Sequence, residues 1–168
     1  KAEVTLAPAL SERSSPMLVR GSFSLLESGG RPVVRSIERS WWPAPQLVAI
    51  RPLFDRNVAQ EGALAEFELT RVDSAAKFQP AKELQIKLVY EERQWYWRYD
   101  EGRGWNSGFN TQEEVVEARS LVLKDRTKIA LPVRWGRYRV EILDPETKLT
   151  TRYGFYAGWG AQDADDMG

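Results

Sequence analysis

The sequence predicts an all-β protein: an antiparallel β-sandwich of immunoglobulin- or fibronectin-like architecture, with extra strands from a preceding domain. Short apolar or alternating segments recur about every 10–15 residues, with turn-forming residues between them, as in sandwiches. Segments with the apolar period of a helix are nearly absent. The 168 residues include 7 Trp, 6 Tyr and 6 Phe but no Cys, which suits a core filled by large side chains without disulfides.

The composition also argues against several classes of function. The absence of Cys and His removes thiolate nucleophiles, the commonest general base and most transition-metal sites. Lys and Arg number 24 and so do Asp and Glu, whereas nucleic-acid binders normally carry a basic face. The longest apolar run, Leu47–Ile50, is far shorter than the ~18 residues of a transmembrane helix. We therefore expect a soluble domain that is not an enzyme and has no cofactor, metal, nucleic acid or small-molecule substrate.

The first predicted element is a β-hairpin. Phe23–Leu26 and Val33–Ile37 are apolar segments that flank residues 27–32, which contain two glycines able to adopt positive φ. A piece with so few strands is not stable alone. We therefore predict that residues 1–46 are the C-terminal part of a preceding domain and its linker.

The next residues predict a domain boundary. The segment Trp42-Pro43-Ala44-Pro45 is rich in proline, and Trp41 precedes it. Two exposed tryptophans on a linker would be unfavourable, so we interpret Trp41 and Trp42 as plugs between two packed modules. The following residues, 47–160, are predicted to be one complete sandwich, and the acidic residues 161–168 a disordered tail or linker.

Alternation predicts about seven strands in residues 47–160. The clearest are Leu47–Pro52, Leu64–Val72, Leu84–Tyr99, Ile129–Val133, Arg137–Leu143 and Leu149–Tyr156. The last two are joined by a turn, Asp144–Lys148, with proline at its second position. Thr111–Arg119 has the capping-box pattern of a helix start, but its alternation continues into Leu121 and Leu123, which favours a strand.

The longest predicted strand contains an irregularity. Its apolar residues occupy even positions up to Tyr90 and odd positions from Trp95. Because the side-chain period of a strand is two, we predict a β-bulge or bend within Glu91–Gln94. The alternative is a strand exposed on both faces there, with aromatic residues on each side.

The main candidate site is an aromatic cluster in the same region. Its members are Trp95, Tyr96, Trp97, Tyr99, Trp105 and Phe109. We favour core packing for these side chains; the alternatives are an interdomain or partner surface, or a carbohydrate- or protein-binding platform formed by Trp95, Trp97 and Trp105. The whole candidate interdomain or partner surface is Trp41, Trp42, Trp95, Trp97, Trp105 and Trp159.

Other clusters give no catalytic, cofactor or metal site. The pairs Glu91-Glu92 and Glu113-Glu114 are adjacent in strands, so their side chains point to opposite faces. Asp163, Asp165 and Asp166 lack the downstream glutamate of a calcium loop. The loop at 100–104 is glycine-rich but joins two strands, unlike a phosphate-binding loop.

Several segments resemble bacterial α2-macroglobulins, relatives of animal α2-macroglobulin and complement proteins. They are GGRPVVRSIERSWWPA, LVAIRPLFD, EGALAEFELTRVD, LVYEERQWYWRYDEGRGW and LPVRWGRYRVEILDPETKLTTRYGFYAGWG. The most distinctive parts are Trp95-Tyr96-Trp97 with the following Gly104-Trp105, the segment Trp135–Tyr138, and Phe155–Trp159. The resemblance extends from about Gly29 to Gly160.

The resemblance implies a non-catalytic fragment from the middle of a much longer protease inhibitor. It implies one complete seven-stranded macroglobulin-like (MG) domain and the end of the preceding one. Family members trap proteases after cleavage of a bait region, and many use a Cys–Gln thioester, for which this chain has no cysteine. No long protease-accessible loop lies in residues 47–160, so none of the family's functional residues maps here.

The resemblance also implies partners and a location. The partners are neighbouring MG domains of the same chain, target proteases bound by the full-length protein, and proteins of cell-wall synthesis. The location is the periplasm, with the full-length lipoprotein anchored to the inner membrane through its N-terminus.

Overall fold

Every regular element in the described part of the chain is a β-strand. The structure is a computed structural model that describes residues 14–26, 29–30 and 32–161. Contacts divide the chain into two units, Lys1–Pro45 and Gln46–Gly168. The all-β fold class predicted from the sequence is confirmed.

The first unit contains a β-hairpin of β1 (Met17–Leu25) and β2 (Val33–Trp41). In its antiparallel register Gly21 lies opposite Ile37 and Phe23 opposite Arg35. Since directly opposite residues share a face, Val19, Phe23 and Ile37 lie on one face of the hairpin. Strand β1 contains the predicted segment Phe23–Leu26 except its last residue, and β2 contains Val33–Ile37; both strands are longer than predicted.

The second unit contains two sheets, whose strands are antiparallel except for the short β4. Its strands are β3 (Gln46–Pro52), β4 (Val58–Ala59), β5 (Leu64–Asp73), β6 (Ala81–Asp100), β7 (Gly104–Leu123), β8 (Thr127–Pro132), β9 (Gly136–Asp144) and β10 (Leu149–Ala157). One sheet has the order β3-β5-β8 and the other β4-β10-β9-β6-β7. Thr111–Arg119 lies within β7, so its assignment as a strand is confirmed. The two-residue β4, which pairs parallel with β10, is too short to predict from periodicity.

The core lies between the two sheets. Alternate residues of β5, including Phe67 and Leu69, are fully buried, and from the other sheet Leu88, Val140 and Phe155 meet them. Phe67 packs edge-to-face against Phe155 with their ring centroids 5.2 Å apart. The alternation of β5 therefore identifies its core face correctly.

The predicted bulge within Glu91–Gln94 is wrong. The register of β6 against β7 is regular from Val89 to Asp100. The nearest irregularity lies where Leu88 pairs with Glu117 and Val89 with Val115, and a second lies between Ala81 and Leu84. The extra residue is Val116 on β7, so β6 keeps its phase. Within the sandwich, the even-numbered residues of β6 face the core. Beyond it, β6 leaves the sandwich, and most of its aromatic residues occupy odd positions, which lie on the opposite face of the strand. The alternative interpretation holds in part: both faces are exposed beyond this point, but Glu91 is buried and most of the aromatic residues lie on one face.

Two predictions from the sequence are not tested by the structure. Residues 162–168 of the acidic tail lie outside the described residues. Trp41 and Trp42 are half-buried in the first unit, and their role as plugs between modules stays a prediction.

Gly136 allows a test of how tightly the edge of the core is packed. Its φ is +137°, and a Cβ there would lie 2.5 Å from Tyr90 Cε2. We expect Gly136→Ala to lower the free energy of unfolding by about 1–3 kcal/mol. The control is Gly154→Ala in the paired strand β10, where the nearest atom would be 3.9 Å away; we expect a change within about 0.5 kcal/mol. Urea denaturation measures both, and equal losses would contradict the steric argument.

Candidate interaction surface

Strands β6 and β7 extend beyond the sandwich as a two-stranded arm. From Val89 they pair in regular register to Asp100 opposite Gly104, whereas β6 pairs with β9 only as far as Glu91 opposite Arg137. We call residues 92–112 the aromatic arm. At the rise of a β-strand it is roughly 30 Å long.

One face of the arm carries five of the six aromatic residues. Trp95 lies opposite Phe109, Trp97 opposite Ser107, and Tyr99 opposite Trp105. Directly opposite residues share a face, and residues two apart along a strand do too. We call this set the aromatic face: Trp95, Trp97, Tyr99, Trp105 and Phe109. Val89 and Glu91 also occupy odd positions of β6, on the face of the five-stranded sheet that points away from the core. The aromatic face therefore continues that outer face.

The interpretation of these rings as core is wrong. Trp97 and Trp105 are each 68% exposed, Tyr99 59%, Phe109 45% and Trp95 39%. The core is filled instead by Phe67, Phe155, Tyr138 and aliphatic residues from both sheets, and the arm has left that core. The described residues thus present an exposed aromatic surface.

The rings of the aromatic face are tilted against each other. Trp95 and Phe109 have centroids 5.2 Å apart at 58°, and Tyr99 and Trp105 are 5.5 Å apart at 63°. The guanidinium of Arg93 lies 4.5 Å from the centroid of Phe109. These are the edge-to-face and cation–π arrangements that aromatic groups prefer. The two rings of each pair are therefore not coplanar.

The opposite face of the arm is polar apart from Tyr96. Arg98 forms an ion pair of 3.0 Å with Asp100, and Asn106 lies opposite Arg98. Tyr96 covers Gly108, where a Cβ would lie 2.8 Å from the tyrosine ring. Arg98 and Asn106 therefore offer matched control positions for the aromatic face.

An ion-pair network lies at the base of the arm, on the same side as the aromatic face. Glu91, which is buried, accepts from Arg137 at 2.7 Å and also from Arg139. Arg139 also donates to Glu113 and Glu141, each at 3.0 Å. Burial alone would lower the pKa of Arg139, but the bonds to these carboxylates raise it overall. The network joins β6, β7 and β9.

The ion pairs of Glu141 predict that the free energy of unfolding depends on pH. Burial alone would raise the pKa of Glu141, but hydrogen bonds from Arg152 and Arg139 lower it overall from its ordinary 4.5. A lowered folded-state pKa stabilises the protein above pH 4.5, and this contribution is lost as the pH falls through the folded-state value. We expect Glu141→Gln to reduce the dependence of unfolding free energy on pH below 4.5. Urea titrations across this range measure it; parallel pH profiles for variant and parent chain would contradict it, and Arg152→Gln should reproduce part of the loss.

The six candidate tryptophans are not all brought together. Trp95, Trp97 and Trp105 share the aromatic face, whereas Trp159 follows β10 and is 95% exposed. Trp41 and Trp42 belong to the first unit. Trp135 was not among the candidates; its Nε1 donates to the carbonyl of Trp159 at 3.3 Å.

Trp135 also lines a cleft at the base of the arm, together with Trp95, Arg137 and Ala161. The only sequence signal for it was its place in the Trp135–Tyr138 segment. Ala161, the last described residue of the chain, therefore lies next to the arm.

The described residues contain neither a candidate metal cluster nor a membrane-spanning helix. No three or more Asp and Glu side chains there are grouped to hold a metal ion. No helix in the same ranges is long and apolar enough to cross a membrane.

Two family models match consecutive parts of the chain. The model described as "Bacterial Alpha-2-macroglobulin MG5 domain" matches residues 1–43, and "Bacterial macroglobulin domain 6" matches residues 49–159. The second match covers the sandwich and the aromatic arm.

Curated relatives with the name α2-macroglobulin match most of the chain. The protein of Xylella fastidiosa strain 9a5c is 49% identical over 89% of this chain and 9% of its own length. The protein of Escherichia coli strain K12 is 36% identical over 99% of this chain and 11% of its own. The chain thus spans about a tenth of the length of these relatives.

Solved structures agree with this result. A crystal structure of Salmonella α2-macroglobulin reacted with methylamine has a TM-score of 0.76 and 33% identity, over 92% of this chain and 11% of that one. A cryo-electron microscopy reconstruction of native E. coli α2-macroglobulin has a TM-score of 0.74 and 34% identity, over 89% and 10%. Domain matches, relatives and fold all agree, and the chain belongs to the bacterial α2-macroglobulin family.

Proposed function

We propose that this chain is a non-catalytic structural segment of a bacterial α2-macroglobulin that traps proteases after cleavage of its bait region. The observation that carries the proposal is the match of two consecutive macroglobulin domains to the two units of the chain. In this role the second unit is one sandwich in a series. It holds its neighbours in register and transmits the rearrangement that follows cleavage.

The apolar face of the first unit supports a role in a series of domains. Val33, Phe23 and Ile37 are between 43% and 48% exposed on one face of a hairpin. A lone two-stranded hairpin is only marginally stable in water. We therefore assign the face as half of a core whose other strands precede this chain in the parent protein.

The solved relatives support a response to proteases. One similar structure is of E. coli α2-macroglobulin activated by porcine elastase, with a TM-score of 0.71 and 37% identity. Another is of trypsin-activated α2-macroglobulin from the same species, with a TM-score of 0.66. By the same family relationship we propose a periplasmic, inner-membrane-anchored lipoprotein whose partners are proteases and, by extension, proteins of cell-wall synthesis; fractionation of cells that express the parent tests the location.

The test uses the full-length parent and trypsin. We expect trypsin incubated with the parent to lose activity towards a large protein substrate and to keep activity towards a small peptide substrate, because a trapped protease stays reachable only by small molecules. The 168-residue chain alone should change neither activity. Unchanged cleavage of the large substrate would contradict trapping, and cleavage of any substrate by the chain alone would contradict its non-catalytic role.

A further inference from the structure

We propose that the aromatic face is a docking surface for another domain of the same polypeptide, one that lies outside these 168 residues. The inference rests on the proposed function only in taking the chain to be a segment of a multi-domain protein. It goes further by assigning a surface, the kind of partner that covers it and the side chains that make the contact.

The exposed area is in the upper part of the range found for the largest apolar patch of a soluble monomer, and such patches are often functional. At ~200 Å² for a fully exposed aromatic side chain, the five rings expose roughly 550 Å² in one continuous strip. Monomeric proteins rarely leave contiguous apolar patches larger than a few hundred Å² in water, and larger patches mark interaction sites. The aromatic face therefore has the size and composition of an interaction site.

The same area indicates a tethered cover rather than a separate molecule. A stable complex of independent proteins buries about 800 Å² on each partner, which the aromatic face alone does not supply. Contacts between domains of one chain bury as little as about 600 Å² in total, because a linker keeps the local concentration high. About nine tenths of the length of the matched relatives lies outside the region this chain covers. That remainder can supply the covering domain.

The side chains define the chemistry of the partner surface. The aromatic face offers three indole N–H groups and one phenol, and indole is a donor only. The complementary surface must be apolar at its centre and carry hydrogen-bond acceptors, such as backbone carbonyls, at its rim. At the base of the arm the strip meets the ion pairs of Glu91 with Arg137 and Arg139, so the partner's rim there must be polar. The tilted rings, at 58° and 63°, suit an irregular protein surface better than a sugar.

The experiment measures ring exposure in two contexts. Hydroxyl-radical footprinting is applied to the 168-residue chain and to the full-length parent before protease treatment. We expect Trp97 and Trp105 to be oxidised at least about fivefold more slowly in the parent than in the 168-residue chain, because the core of an interface excludes solvent. Tyr96, on the opposite face of the arm, is the internal control and should react at similar rates in both.

Paired variants separate docking from a simple folding defect. Trp97→Thr with Trp105→Thr alters the aromatic face, and Arg98→Thr with Asn106→Thr alters the polar face of the same arm. In the isolated chain we expect both pairs to leave the fold intact by circular dichroism. In the parent we expect only the aromatic pair to make Tyr99 and Phe109 as reactive as they are in the isolated chain.

Equal oxidation of Trp97 and Trp105 in the two contexts would overturn the proposal. So would two other results that assign a different cover: concentration-dependent dimers of the isolated chain in sedimentation, or saturable quenching of its fluorescence by soluble glycans. The trypsin assay on the same parent preparation keeps the two proposals apart. A parent that traps trypsin with an unprotected arm refutes only the docking surface, and a protected arm without trapping refutes only the proposed function.

Discussion

Replacing Arg71 by Met is expected to lower the free energy of unfolding of this chain by about 3–5 kcal/mol. Arg71 Nε donates to Asp144 Oδ2 at 2.8 Å, and both side chains are at most 3% exposed. The same guanidinium donates to the carbonyl of Pro80 and to Glu146, each at 2.8 Å. Because Arg71 lies on β5 and Asp144 on β9, the pair joins the two sheets. Its loss leaves a buried carboxylate without a cation.

The matched control is Arg51→Met. Arg51 pairs with Glu68 at 3.2 Å, but its side chain is 66% exposed, so we expect a loss of about 0–1 kcal/mol. Urea denaturation of both variants decides the question. A second variant, Arg71→Met with Asp144→Leu, should recover part of the loss because it removes the stranded charge. Equal, small losses for Arg71→Met and Arg51→Met would contradict the buried pair.

Phe67→Ala is expected to cost about 3–5 kcal/mol as well. Phe67 is fully buried, and its ring lies 5.2 Å from the rings of Phe54 and Phe155 and 6.0 Å from that of Tyr153. Truncation leaves a cavity between the sheets and removes these aromatic contacts together.

The control for this prediction is the same substitution on the arm, Phe109→Ala. Phe109 is 45% exposed and its ring lies against Trp95 and Arg93 of the arm, so we expect a loss of about 1 kcal/mol or less in the isolated chain. Thermal and urea unfolding of the two variants measure the difference. A loss at Phe109 as large as that at Phe67 would show that the arm contributes to the core after all.

The sequence predicted the strands well because alternation records which residues share a face. It did not predict where along β6 the core ends. In β6 the change from even to odd apolar positions looked like a break in the strand, but the strand is continuous and only its surroundings change. The aromatic face could have been inferred from the matching parity of Trp95, Trp97 and Tyr99 alone.

One residue of the buried ion pair could also be predicted from the sequence. Arg71 follows Phe67 and Leu69 at the same parity, so alternation places it on the core side of β5. A charged residue at such a position requires a partner. Nothing in the sequence identifies that partner, because Asp144 is 73 residues away and meets Arg71 only through the packing of the two sheets.

The unbroken course of β6 has a mechanical consequence. The residues that pair with β9, Gln85–Glu91, continue directly into the arm without a hinge. A pull on the arm along its axis therefore loads the hydrogen bonds between β6 and β9 in parallel, as shear, rather than opening them one after another. A force applied along the arm is therefore carried by the same strand to Leu88 and Ile86 in the middle of the sandwich.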